Sequence, residues 1–171
     1  MKLVFALAMA LMVVGGCGPS AAQIKSAKAA QYNAKPQHLL DLALQVTQFD
    51  YKIGAIDIEG LKFATEPQWY SKEGGRISPY TDGNGNFVNA GGGDVQVSFL
   101  VRVRLVENER SMIEITPITK QLVGTPNDPT PMARDLKPDD PYLPTWIQGR
   151  VDSLALAIYE QAKKRYLPPG G

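Results

Sequence analysis

The chain has 171 residues and a formal net charge of +1 at pH 7. That length suits one domain with a real core. Nothing in the near-neutral balance suggests nucleic-acid binding or strong steering to an anionic surface, and 44% hydrophobic residues fit a globular domain.

The first predicted element is a secretory signal. Lys2 stands ahead of an apolar run from Leu3 to Val14, and small residues follow. The run is shorter than the roughly 20 residues a membrane helix needs. Val14-Gly15-Gly16-Cys17 then resembles the bacterial lipobox: an aliphatic residue, two small residues and Cys. The resemblance implies cleavage before Cys17, a diacylglyceryl thioether on its sulfur and an acylated new amino terminus. A lipid would also account for a lone Cys in a secreted chain, which has no disulfide partner. Gly18 follows the Cys, and in Gram-negative lipoproteins the lack of Asp there implies the outer membrane. Loss of residues 1–16 removes one Lys and no acid, leaving basic and acidic side chains in balance.

Residues 17–34 read as the lipidated Cys and a flexible tether, small and polar, with a tendency to helix near Ile24 to Ala30. A single α+β domain is expected over residues 35–167, with 168–171 as a tail. Pro36 to Gln48 is its first helix, with Pro36 in the first turn and Leu39, Leu42, Ala43 and Val46 on one stripe. Tyr51 to Ile58 reads as a strand, Glu59-Gly60 as a turn, and Leu61 to Tyr70 as the return strand. Pro67 marks an edge or a bulge in that strand.

Ser71 to Asp94 is Gly-rich and polar and reads as a mobile loop. Val95 to Val106 is the clearest strand, since Val95, Val97, Phe99, Val101, Val103 and Leu105 alternate with mostly polar residues. Met112 to Val123 returns as its partner, and the shift of apolar phase around Pro117 predicts a bulge there. Gly124 to Pro144 holds six prolines and reads as an extended loop. Thr145 then caps a long helix with Ile147, Val151, Leu154, Ile158, Ala162 and Tyr166 on one face. Glu160 is placed to pair with Lys164.

The order helix, hairpin, hairpin, helix predicts a four-stranded antiparallel sheet with two helices on one face.

The catalytic inventory is thin. A nucleophilic mechanism needs a nucleophile, a base and an orienting group. The one His, His38, lies in the first helix and reads as a surface or interfacial residue, and the one Cys goes to the lipid. Asp82-Gly83-Asn84-Gly85-Asn86 resembles the front of an EF-hand-like calcium loop. Phe87 stands where that loop wants Gly, however, and Gly93 where it wants Glu. Asp139 and Asp140 sit in a Pro-rich turn, where solvation is the plain expectation. Arg102 and Arg104 share a strand face, with Glu114 across the hairpin as their natural partner. No enzymatic activity, metal or cofactor is therefore expected. Trp69, Tyr70 and Trp146 divide between core and partner contact, because Trp and Tyr also dominate interface hot spots.

From Leu39 to Trp69, a short helix, a strand running Tyr51-Lys52-Ile53, a Gly turn and a strand through Thr65 to Trp69 resemble one BamC-like helix-grip module. The later hairpin from Val95 and the helix from Thr145 fit its second half. BamC is an outer-membrane lipoprotein of the β-barrel assembly machinery and carries two such modules; this chain has room for one, and its Gly-rich and Pro-rich loops are extra. The resemblance implies a periplasmic, outer-membrane-anchored accessory or scaffold whose partners are the membrane and envelope proteins. The alternative is a carrier holding a lipid or other apolar ligand between sheet and helix.

Overall fold

The computed structural model describes residues 18–83, 87–123 and 132–166. In chain order the elements are α1 (Ala21–Ala29), α2 (Pro36–Thr47), β1 (Ile53–Asp57), β2 (Lys62–Thr65), β3 (Gln68–Tyr70), β4 (Tyr80–Thr81), β5 (Phe87–Val88), β6 (Val95–Leu105), a 3-10 turn at Glu107–Glu109, β7 (Ser111–Val123), β8 (Met132–Leu136) and α3 (Thr145–Tyr166). The α+β class holds.

The β6–β7 hairpin is the spine. Its antiparallel register is unbroken from Val95↔Gln121 to Leu105↔Ser111. Val95, Val97, Phe99, Val101 and Val103 are buried, while Arg102 and Arg104 are exposed, so the period-two pattern selects the face that meets the helices. On one side of β6 lie β2 and β3, with β1 beyond β2; on the other side lie β7 and then β8. All these pairings are antiparallel. β4 and β5 pair separately as a short hairpin.

Helices α2 and α3 pack on each other and on β6 and β7 respectively. Of the expected α2 stripe Leu39, Leu42 and Ala43 are buried, joined by Leu40, while Val46 is half-buried; α3 buries Ile147, Val151, Leu154, Ile158 and Ala162 as expected. These side chains meet Phe63, Tyr70, Phe99 and the β6 valines in one core. Each fully buried aliphatic or Phe side chain there contributes about 1.5–3 kcal/mol.

Four expectations need correction. The sheet has six strands, not four. The added β8 comes from the Pro-rich stretch, and its residues are exposed except Leu136, so it carries almost no hydrophobic pattern. The expected return strand is two strands, because Glu66 and Pro67 break the ladder between Thr65 and Gln68. The backbone N–H of Phe99, facing that break, donates instead to the Thr65 hydroxyl at 2.9 Å.

There are also three helices among the described residues. The segment expected as a flexible tether forms α1, opened by a capping box. Ser20 Oγ accepts from Gln23 N, and Ser20 N donates to the Gln23 side chain. This helix packs on α3 and β7. Ala27 is buried and Lys28 pairs with Asp152 at 2.8 Å. Tyr32, 1% exposed, exchanges both backbone hydrogen bonds with Ser111. Only the patterning of α1 misleads, since it has no apolar stripe and buries a single small residue.

Finally, β7 has no bulge at Pro117, which sits opposite Phe99 in unbroken register. β8 covers only Thr119–Val123, so Pro117 lies where the outer edge of β7 is open and a missing N–H costs no ladder bond.

Candidate functional site

Two regions concentrate unusual side chains. The first contains the aromatic residues singled out from the sequence. Tyr70 is fully buried and belongs to the core, so it offers no surface to a partner. Trp146 is half-buried and packs at 5.1 Å from the Tyr70 ring. Its indole N–H donates to the Lys72 carbonyl at 3.0 Å. The Arg150 guanidinium lies 4.3 Å over Tyr70 and 5.4 Å from Trp146, and donates to the Gly74 carbonyl at 2.8 Å. Trp69, also half-buried, pairs in β3 with Gln96 and accepts from Ile77 N.

This cluster pins the turn Ser71–Arg76 to the start of α3 through cation–π and hydrogen-bond contacts. The Gly-rich stretch expected as wholly mobile is therefore tied down at its first turn. Gly74 has φ +90°, and a Cβ there would fall 2.9 Å from the Trp146 ring. Tyr51, edge-on to Phe99 at 5.0 Å, joins the cluster from the β1 side. Burial raises its phenol pKa, opposed by a hydrogen bond from Arg150. The Tyr70 hydroxyl finds no hydrogen-bond partner among the described residues.

The second region was not foreseen. A cleft of about 410 Å³ opens between α1, β7 and α3. Its apolar lining comes from Ala27, Tyr32, Ile113, Ile115, Val151 and Ile158. Burial, with a smaller contribution from Tyr159, drives the Tyr32 phenol far above the ordinary tyrosine range. Beside the cleft runs an uncovered stretch of β7. Tyr32 pairs with Ser111 at one end and Leu136 pairs with Thr119 at the other. Nothing among the described residues pairs with the strand edge from Met112 to Ile118. No periodicity signal could have found this, because it depends on where β8 and the Tyr32 segment stop.

The remaining candidates resolve as ordinary surface. His38 is exposed on α2. Asp140 accepts from Tyr142 N at 2.9 Å in an exposed turn, with Arg134 at 4.0 Å. Arg104 pairs with Glu114 at 2.6 Å. Glu160 pairs with Lys163 rather than the expected Lys164. Among the described residues no three His, Cys, Asp or Glu side chains gather as a metal set. Asn84, Gly85 and Asn86 of the calcium-loop reading, and Cys17 itself, lie outside the described residues. Among the described residues no helix is long and apolar enough to cross a membrane. No protein-family model matches the chain, and no curated protein matches it.

Proposed function

We propose that this protein is an envelope lipoprotein, anchored by a lipid on Cys17 to the periplasmic face of the outer membrane. There it acts as a non-catalytic accessory or scaffold in an envelope assembly, in keeping with the helix-grip-like, BamC-like resemblance of its sequence. The observation that carries this reading is the seating of α1. The helix starts at Ala21, shortly after the lipobox-like Cys17, and is fastened to the domain through Ala27, Lys28–Asp152 and the Tyr32–Ser111 bridge. A catalytic domain on a long free tether has no need of such coupling; a protein that works by contact at a membrane benefits from a fixed stance.

Growth with labelled palmitate tests the anchor: label on the wild type and none on Cys17→Ser is expected. Crosslinking of the lipidated protein in membranes tests the role. Recovery of a single uncrosslinked chain under gentle detergent would count against an assembly.

A carrier is the second reading, and the apolar cleft between α1, β7 and α3 favours it. Native mass spectrometry of protein taken from its own envelope separates the two, because a carrier should retain a lipid-sized adduct.

A further inference from the structure

We propose that the open edge of β7 between Met112 and Ile118 captures a short extended peptide of a partner protein as an added β-strand. The peptide would carry aliphatic side chains at alternate positions.

The hydrogen-bond phase of β7 fixes which groups are offered. In an antiparallel ladder a residue directs both its N–H and its C=O to the same side, and successive residues alternate. Ser111 sends both groups outward, to Tyr32. Thr119 is likewise opposite Leu136 on that side. Ile113, Ile115 and Pro117 share their phase and face outward. The proline agrees, since it has no N–H to give and the β6 ladder passes it without a break. The edge therefore presents the N–H and C=O of Ile113, the N–H and C=O of Ile115 and the C=O of Pro117. None has a partner among the described residues. An open edge of this kind is a template for strand addition.

The limits of the gap choose the occupant. Seven strand residues span about 23 Å at roughly 3.3 Å each. Tyr32 closes the row at one end and Leu136 at the other. A second copy paired through its own β7 cannot fit. That strand runs unbroken from Ser111 to Val123. Centred on the gap, it would place its Thr119 where Tyr32 stands and its Ser111 where Leu136 stands. The occupant must enter and leave the row within the gap, which a short unfolded segment or chain terminus does and a long folded strand does not.

The cleft supplies the side-chain preference. Peptide residues directly opposite Ile113 and Ile115 would point to the helix side, as those isoleucines do, against Ala27, Val151 and Ile158. Residues between them would face the opposite side, beside Glu114 and Thr116. The inference deepens the accessory reading, and rests on it only for where the partner would be met; peptide capture and palmitate labelling fail independently.

The test uses the purified full chain in detergent-containing buffer, whether or not it carries a lipid, with the same buffer without protein as blank. The probe is a seven-residue peptide of alternating Thr and Val with blocked ends. Its counterpart is N-methylated at alternate residues, so that the edge facing β7 carries no N–H. Saturable binding of the first peptide, at least tenfold weaker for the N-methylated one, is expected. Slowed exchange of the Ile113 and Ile115 amides should accompany it. Ile115→Pro should stay folded, as the strand already accepts Pro117, and lose at least tenfold in affinity. Ala155 lines the cleft from α3, so Ala155→Trp, which fills the cleft without touching the ladder, should weaken binding similarly and serves if Ile115→Pro fails to fold. Equal binding of both peptides, undiminished binding to a folded variant, or no binding of the alternating peptide at millimolar concentration overturns the proposal.

Discussion

Gly74→Ala should be disruptive although it adds only one methyl group to a surface turn. The residue sits at φ +90°, and its added Cβ would come within 2.9 Å of the Trp146 Cγ and Cδ2 atoms. An L-residue in left-handed backbone costs about 1–2 kcal/mol. The indole cannot yield freely, because its N–H holds the Lys72 carbonyl, and a hydrogen bond of that kind contributes roughly 0.5–1.5 kcal/mol net. If the ring moves and that bond goes, the loss is about 1.5–3.5 kcal/mol, roughly tenfold to a few hundredfold in the folding equilibrium. Urea unfolding followed by tryptophan emission, in a Trp69→Phe background so that only Trp146 reports, measures both the stability and the ring's exposure. Gly75→Ala is the internal control, since its Cβ would meet only the Ser71 hydroxyl, at 3.5 Å, and its φ is not positive. A Gly74→Ala protein within 0.5 kcal/mol of the Gly75→Ala control, with unshifted emission, would refute the account of the turn as pinned to α3.

Other substitutions probe the remaining joints. Thr65→Val strips the acceptor from the buried Phe99 N–H and should cost about 1–3 kcal/mol by denaturant unfolding, whereas Thr65→Ser, which keeps the oxygen, should cost less. Ala27→Asp places a charge in the α1–α3 contact and should release α1: amide exchange across Ala21–Ala29 should rise to that of free peptide while α2 stays protected. The Tyr32 phenol is held neutral by burial, so its pKa in the folded chain exceeds the unfolded one. The stability it contributes is complete below the unfolded value, near pH 10, and is lost as pH rises from there toward the folded value. Tyr32→Phe should therefore unfold at higher alkaline pH than the wild type while matching it near neutrality; coincident alkaline transitions would contradict this.

What the sequence disclosed follows the strength of its periodic signals. α2, α3 and β6 bury full stripes, and each was readable to within a residue or two. The core side of β7 was readable as well, but the apolar phase shift at Pro117 implied a bulge where the ladder is unbroken. That proline is instead explained by an open edge, a fact about β8 and Tyr32 rather than about β7. α1 and β8 escaped for one reason: each is held by backbone pairing, ion pairs or a single small buried residue, and neither shows an apolar pattern. The aromatic triplet was legible as important but not as to role. Tyr70 turned inward with β3, and Trp146 was claimed by the glycine turn.

The two misjudged segments meet at one place, and that changes what a membrane anchor would accomplish. Tyr32 ends the open row on β7, and Ala27 and Lys28 of α1 line the cleft beside it. From Cys17 to Ala21 the chain reaches at most about 15 Å at 3.8 Å per Cα step. From Ala21 to Ala27 the helix rises about 9 Å. On the lipoprotein reading, Ala27, which lines the cleft beside the peptide-binding edge, would then lie within roughly 25 Å of the lipidated residue, a bound set by these backbone dimensions. A free tether over residues 17–34 would let the same edge wander far from the surface. The docked α1 removes that freedom, so a lipid on Cys17 would hold the edge of β7 close to the bilayer.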